Sequence, residues 1–314
     1  MSRKVLLQLV LPLIGLSVLF WLLAFAPGDK HHQPALLEMS VILRDGDGNV
    51  SAMRKGMEQA AKDLNVELRF LTPAEDNSAV EQVQLLEHEV SGAAPAVLLV
   101  PADREALGEA VSAAEGKTTL VTVESDMTAW GADASISMDH QALGEALGKA
   151  ALNGVPFGGT VLLLDSLLGD NGVRERMEAA KALLEEKGRQ VRIYRWTSDS
   201  TAFANILRIE RPKAVIAFEA AALTEMAELS RGEEAFPLLY GCGSTAGIAA
   251  ALEKGRVTAI AAVNVFSAGY LAVEAAAKLA RHESWTGAAS VGFSVVRQET
   301  MYSSDNQKLL FPVT

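Results

Sequence analysis

The stretch "AVLLVPADREALGEAVSAAEG", residues 96–116, decides the fold class. It opens with five apolar residues, the length of a short strand, and continues with a longer helical pattern. A continuous apolar run without polar alternation is typical of a strand that is buried on both faces. A buried strand that leads directly into a helix is the repeating unit of a parallel sheet covered by helices.

The same unit repeats along the chain on both sides of this stretch. Further strand-length apolar runs occupy residues 39–43, 66–71, 118–123, 134–138, 159–164, 190–196, 213–218, 236–241 and 257–263. Ten such units are too many for one open sheet of ordinary size, whereas two lobes of about 120 residues each accommodate them. The pattern therefore predicts an α/β fold of two Rossmann-like lobes with parallel sheets.

Ligands of open α/β sheets bind outside the carboxyl ends of the strands. The segments that follow the predicted strands carry six acidic residues: Asp45, Asp47, Glu124, Asp126, Asp170 and Glu219. If several of them face one cleft, their mutual repulsion favours a ligand with a cationic group, or a polyol bound by many acceptors. The alternative is that most of them face solvent, as Asp and Glu usually do.

The N-terminal residues carry a separate signal. Arg3 and Lys4 precede an apolar run over residues 5–26, which is long enough to span a bilayer. The positive flank predicts that the N-terminus stays inside and that the rest of the chain lies outside the cytoplasm. A signal peptide cleaved before Pro27 is the alternative to an uncleaved anchor over residues 1–27. We expect the anchor, and after it a polar linker over residues 28–36.

Composition and motifs exclude several function classes. The net charge of −11 argues against a nucleic acid as partner. Cys242 is the single cysteine, so no intrachain disulfide and no Cys-x-x-Cys site can form. The sequence contains no G-x-S-x-G, phosphate-loop or H-E-x-x-H motif. We therefore expect a binding protein without a cofactor rather than an enzyme.

The loop "DGDGN" at residues 45–49 resembles the start of a calcium loop, in which alternating oxygens converge on one ion. That motif requires Gly at its sixth position and Glu at its twelfth. Val50 and Gly56 stand there instead. We therefore expect a Gly-rich turn into a helix, and no metal site.

Several segments match a known family in their order along the chain. They are "GMEQAAKDLNVELRF" (56–70), "AVLLVPADREALGEAV" (96–111), "SISMDHQALGEALGKAAL" (135–152), "GVRERMEAAKALL" (172–184) and "ALEKGRVTAIAAVNVFSAGYLAVEAAAKLA" (251–280). In this order they resemble the type I periplasmic (solute-)binding protein family, in its ribose- and galactose-binding branch. The resemblance covers about residues 39–296.

The resemblance implies two lobes joined by three crossover segments, with the ligand in the cleft between them. Lobe 1 is then residues 37–138 plus 264–287, and lobe 2 is residues 139–263 plus 288–314. Members of the family bind a small solute outside the cell and deliver it to an ABC permease or to a membrane sensor. The expected function is therefore capture of a small polar solute, sugar-like or otherwise polar or cationic, for an ABC-type importer. A membrane-anchored sensory module that presents its ligand state to a histidine kinase or receptor is the alternative.

The resemblance, together with the positions of the strand ends, implies seven ligand-binding residues: Asp47, Asn49, Glu124, Ser125, Arg174, Glu219 and Asn264. Two departures from the family distinguish this chain. The first loop has no aromatic residue to stack on a sugar ring, and Gly243 stands where the family has an acid.

Several interpretations stay open at this point. Arg174 either contacts the ligand or pairs with Glu178 one turn further along the same helix. Trp130 and Trp196 either stack on a ligand or pack between the lobes. Three further residues are expected to have no role in binding or catalysis. Arg176 should be a solvated side chain, His140 a residue of a helix cap, and Cys242 a small buried hydrophobe.

Overall fold

The computed structural model describes residues 35–44, 49–166, 171–232, 236–285 and 288–311. The predicted anchor over residues 1–27 lies outside them. Within the described ranges, no helix combines the length and the apolar character needed to cross a membrane.

Two six-stranded sheets form the framework of the protein. The first contains β1 (Leu37–Ile42), β2 (Val66–Leu71), β3 (Ala96–Leu99), β4 (Thr119–Glu124), β5 (Ala134–Ser137) and β11 (Ala288–Ser290). The second contains β6 (Thr160–Asp165), β7 (Gln190–Arg195), β8 (Ala214–Ala217), β9 (Leu238–Cys242), β10 (Ala259–Val263) and β12 (Phe293–Val296). The orders are β11-β5-β4-β3-β1-β2 and β12-β10-β9-β8-β6-β7. The two lobes predicted from the apolar runs are thus confirmed.

Nearly all of these strands pair in parallel, as their apolar runs predict. In the first sheet β1 pairs with β2 and β3, and in the second β6 pairs with β7 and β8, all in parallel. The exception is β12, which pairs with β10 antiparallel, Ile260 facing Val296 in the register. The innermost strands β3 and β8 are buried at every position, since helices cover both faces of each sheet.

Ten α-helices are described. Those of the first lobe are α1 (Asn49–Leu64), α2 (Ala79–Ser91), α3 (Arg104–Ala114) and α9 (Val265–Ala280). Those of the second are α4 (His140–Leu152), α5 (Asn171–Glu186), α6 (Ser200–Glu210), α7 (Ala220–Leu229), α8 (Ala246–Glu253) and α10 (Ser304–Leu310). A side-chain oxygen caps the start of several of them, among them Asp103 at α3 and Asp139 at α4.

Glycine lets two pairs of helices pack with their backbones in contact. A Cβ at Gly269 of α9 would overlap the carbonyl oxygen of Met53 in α1. A Cβ at Gly144 of α4 would overlap the carbonyl oxygen of Arg176 in α5. The second contact holds the Arg176 backbone against the helix that begins at His140.

The chain passes between the two sheets three times, as the order of the strands requires. The crossings follow β5, β10 and β11, at about residues 138–139, 264 and 291–292. Strand β11 pairs with β5 in the first sheet, although the predicted bounds place residues 288–314 in lobe 2. The carboxyl ends of both sheets meet at these crossings, so the loops that follow the strands surround one region between the lobes.

Candidate ligand-binding site

A small cavity of about 50 Å³ lies between the lobes, at the carboxyl ends of the strands. The charged residues that line it are Arg44, Glu124, Arg176 and Glu219. The remaining lining residues are small or apolar: Met138, Val173, Ala220, Cys242, Gly243, Ser244, Val263 and Val265. The site therefore lies at the strand ends, where the α/β architecture predicts it.

Glu124 ends β4 and carries the acid of lobe 1. Its Oε2 lies 3.1 Å from Nη1 of Arg44, which follows β1, and both side chains are mostly buried. Its backbone has a φ of 70°, in the left-handed region that a glutamate rarely adopts. Backbone strain of this kind persists where the surrounding structure holds it, commonly at functional sites. Here the Glu124 carbonyl oxygen lies 3.0 Å from Nε2 of His140.

Arg176 of α5 is the cation of lobe 2, and only 8% of it is exposed. Its Nε donates to Nδ1 of His140 at 3.0 Å, and its Nη1 donates to the carbonyl oxygen of Phe218 at 2.9 Å. Its Nη2 lies 3.5 Å from the Met138 sulfur, which is a weak acceptor. The expectation of a solvated Arg176 is wrong, because this residue lies on the buried face of α5.

The periodicity of α5 contains the signal that identifies Arg176. Val173, Met177 and Ala180 are buried at the helical spacing of three and four residues. Position 176 belongs to the same face, whereas position 174 lies on the exposed flank of that face, about 90° from its centre. A polar residue on an apolar helix face is a candidate for a buried functional group.

Arg174 lies at the rim of the cleft and does not line the cavity. Its side chain is 62% exposed, and its Nη2 lies 3.9 Å from Oε1 of Glu105 in α3. A matching pair joins Nη2 of Arg104 to Oε1 of Glu175 at 3.3 Å. An Arg-Glu dipeptide near the start of each helix thus contacts the dipeptide of the other lobe.

The other expected site residues divide into three groups. Glu219 lines the cavity at the N-cap position of α7. Ser125 is buried beside Glu124, and Asn264 caps α9 by accepting from the Ser267 N–H at 3.0 Å, but neither lines the cavity. Asn49 begins α1, its side chain lies outside the described part of the chain, and so does Asp47.

The described lining of the cavity is balanced in charge rather than acidic, with two guanidinium groups and two carboxylates. Asp126 serves a turn, because its Oδ1 accepts from the N–H of Thr128 at 2.9 Å. Asp45, Asp47 and Asp170 lie outside the described residues. Within the described ranges, no group of three or more His, Cys, Asp and Glu residues could hold a metal ion.

Cys242 ends β9 on the lobe 2 side of the cavity. Burial raises the pKa of its thiol to about 11, although the neighbouring Arg176 acts in the opposite direction. The thiol is therefore protonated near neutral pH and unreactive, since the thiolate is the nucleophile. Its expected role as a small buried side chain agrees with this environment.

The two tryptophans near the cleft each pack within one lobe, rather than between the lobes. Trp196 is buried in the core of lobe 2, edge-on to Phe203, and donates to Oε2 of Glu225 at 2.8 Å. Trp130 covers Gly108 of α3, where a Cβ would overlap the indole. Neither lines the cavity, so the described lining contains no aromatic side chain.

A model of the periplasmic binding protein domain family matches residues 40–284. This protein belongs to that family. The resemblance seen in the sequence is thereby confirmed, and the proteins of the family bind solutes and are not enzymes. A comparison with curated proteins finds no match.

Solved structures with this fold include sugar-binding proteins. An ABC transporter solute-binding protein from Agrobacterium vitis, with bound D-fucose, has a TM-score of 0.81 at 20% identity, covering 87% of this chain and 100% of its own. A carbohydrate transporter solute-binding protein from Agrobacterium radiobacter, in complex with D-arabinose, has a TM-score of 0.82 at 16% identity, with coverages of 88% and 99%. The XylFII–LytSN complex matches with a TM-score of 0.77 at 16% identity, with coverages of 85% and 99%. At identities this low, the structural similarity shows a common fold only.

Proposed function

We propose that this protein captures a small, neutral, polyhydroxylated solute between its lobes and delivers it to an ABC-type importer. The observation that carries the proposal is the charge-balanced set of Arg44, Glu124, Arg176 and Glu219 around one interlobe cavity, of which Arg176 is buried and the other three are partly buried. The proposal further includes an N-terminal anchor that holds the protein outside the cytoplasmic membrane.

The lining chemistry favours hydroxyl groups over ions. A hydroxyl donates one hydrogen bond and accepts others, so it can donate to Glu219 and accept from Arg176 at the same time. Hydrogen bonds to charged partners are the strong ones and supply affinity without an aromatic platform. A cationic solute would add a positive charge to a set that is already balanced among the described residues. We therefore favour a neutral solute over the cationic one that the sequence also allowed.

The size of the cavity requires that the lobes separate before a solute enters. A volume of about 50 Å³ is far below the roughly 300–1,000 Å³ of ordinary ligand pockets. The three crossings leave each lobe a separate sheet with its own helices, as hinge closure requires. We infer that the described state is a closed one. The proteins of similar fold that hold D-fucose and D-arabinose support sugars as the first solutes to test.

Calorimetric titration of the full-length chain tests the proposal. We expect D-fucose, D-arabinose, D-tagatose or myo-inositol to bind, and spermidine and arginine not to bind. Arg176→Leu should abolish the binding, whereas Arg208→Leu, which removes an exposed arginine of α6, should retain it. Binding of spermidine but of no sugar or polyol would contradict a neutral solute.

The second candidate function is sensing, with the closed form recognised by a membrane sensor instead of a permease. A similar fold occurs in the XylFII–LytSN complex, so a protein of this shape can associate with another chain. Deletion of the gene separates the two roles. An importer component is needed for uptake of the radiolabelled solute, whereas loss of a sensor leaves uptake by existing permease intact and removes only the transcriptional response.

A further inference from the structure

His140 connects the two charged sides of the cleft. It is the first residue of α4, directly after the crossing from lobe 1, and the Oδ1 of Asp139 fixes this turn by accepting from the Ala142 N–H at 2.8 Å. The imidazole is buried and packs on Gly172 of α5, where a Cβ would overlap the ring. The ring is therefore held in place by α4 and α5 of lobe 2.

The two neighbours of the ring determine where its proton lies. The Nε–H of Arg176 is a donor only, so Nδ1 of His140, 3.0 Å away, has to be the acceptor. The carbonyl oxygen of Glu124 is an acceptor only, so Nε2, 3.0 Å away, has to carry the hydrogen. Only the neutral tautomer protonated at Nε2 satisfies both contacts.

This tautomer joins the lobes through one side chain. On the lobe 1 side it holds the carbonyl of Glu124, the residue with the left-handed backbone. On the lobe 2 side it orients the guanidinium of Arg176, whose Nη1 donates in turn to the carbonyl oxygen of Phe218, next to Glu219. The ring thus sets the distance and orientation between the acid of one lobe and the cation of the other.

We propose that His140 is a positioning residue of the binding cleft, which as the Nε2–H tautomer orients Arg176 of lobe 2 against the Glu124 strand end of lobe 1. Its effect on solute affinity rests on the proposed function. Its tautomer and its hold on Arg176 do not, because both exist without a solute. The proposal can therefore be tested in two independent ways.

The test without solute uses NMR and crystallography of the full-length protein. In a ¹⁵N-labelled sample at neutral pH, the His140 ring should show a protonated Nε2 and a bare Nδ1, assigned by loss of the signals in His140→Leu. A crystal structure of His140→Leu should show the Arg176 guanidinium displaced. A ring protonated at Nδ1, or an unmoved Arg176 in the variant, would overturn the proposal whether or not any sugar binds.

The test with solute uses two variants, each of which keeps a polar group at only one of the two ring-nitrogen positions. In His140→Asn the amide lies near the position of Nδ1 and can accept from Arg176, whereas in His140→Gln it lies near the position of Nε2 and can donate to Glu124. If Arg176 binds the solute, His140→Leu should weaken binding of the best sugar by about tenfold to a hundredfold. His140→Asn should recover most of this loss and His140→Gln less.

The unfolding midpoints of the three variants distinguish positioning from general packing. We expect the Asn and Gln variants to unfold at similar temperatures and yet to differ in affinity. Equal affinities of the Asn, Gln and Leu variants would mean that the ring only fills space. If wild type binds no sugar, the proposed function fails, and the NMR and crystallographic results still decide the role of His140.

Discussion

The charged residues that line the cavity, Arg44, Glu124, Arg176 and Glu219, form the floor of the cleft. The floor and the rim carry the same types of charged residue in different surroundings. At the floor, Arg176 is 8% exposed and makes its hydrogen bonds to His140 and Phe218. At the rim, two positions earlier on the same helix, the Arg174 side chain is 62% exposed and lies 3.9 Å from Glu105 of the other lobe. Exposed ion pairs contribute only about 0–1 kcal/mol, whereas a buried charged group left without its partner costs several times more. Burial, and not the presence of an arginine, therefore decides which of the two we propose as the solute-binding residue.

The comparison also separates the roles of the floor residues and of the rim pairs. The floor groups are buried enough to make strong hydrogen bonds to a solute. The rim pairs, Arg104 with Glu175 and Arg174 with Glu105, join α3 of lobe 1 to α5 of lobe 2. They can exist only while these helices are close, so they favour the closed state by a small amount. We therefore propose that the rim tunes closure and that the floor recognises the solute.

The largest expected effect is that of Arg176→Leu. The substitution leaves Nδ1 of His140 and the carbonyl oxygen of Phe218 without their donor, at a cost of about 3 kcal/mol in the free energy of unfolding. Arg174→Leu is the matched comparison on the same helix, with an expected change below about 1 kcal/mol. Denaturant unfolding of both variants measures the difference, and equal losses would remove the distinction between floor and rim.

The second prediction concerns how the free energy of unfolding depends on pH through Cys242, which lines the cavity. The pKa of Cys242 is raised from 9.0 to about 11 by burial, so the folded protein keeps this proton to higher pH than the unfolded chain does. Its contribution to stability is fully present below pH 9 and is lost as the pH rises to about 11, by about 2 kcal/mol. The free energy of unfolding of Cys242→Ala should therefore fall less over this range than that of wild type. Parallel pH profiles would contradict a buried thiol.

Much of the fold could be predicted from local sequence, because buried strands need continuous apolar runs. The runs at 96–100 and 213–218 contain the fully buried strands β3 and β8. For the site, the sequence predicts only that it lies at the carboxyl ends of the strands, and not which side chains meet there. The pairing of Arg44 with Glu124 depends on β1 and β4 lying in one sheet with β3 between them, and strand order is not encoded locally.

Arg176 was missed for a different reason. The family resemblance points to Arg174, the fourth residue of α5, whereas the apolar face of α5 runs through Val173, Met177 and Ala180. The face of a helix is a local property and could have identified the inward arginine. The reciprocal contacts at the rim could not have been predicted, because they join residues about 70 positions apart across two lobes.

The smallest expected effect is that of the rim. Arg174→Glu replaces an attraction to Glu105 by a repulsion, and should weaken solute binding by less than about tenfold, since the pair is exposed. The double variant Arg174→Glu, Glu105→Arg restores opposite charges and should restore the affinity. Titration at low salt and again near 1 M, where the screening length is about 3 Å, should show the single-variant effect shrinking. An effect that is independent of salt would mean that the rim does not act through charge.

The most direct test of solute capture between the lobes is a distance measurement across the cleft. Spin labels at Glu109→Cys in α3 and Glu178→Cys in α5 occupy exposed positions of the two lobes, and the buried, protonated Cys242 should stay unlabelled. Double electron–electron resonance should then show a broad or long distance without solute and one shorter distance with the sugar that binds in calorimetry. A sugar that binds without changing the distance distribution would contradict capture by closure of the lobes.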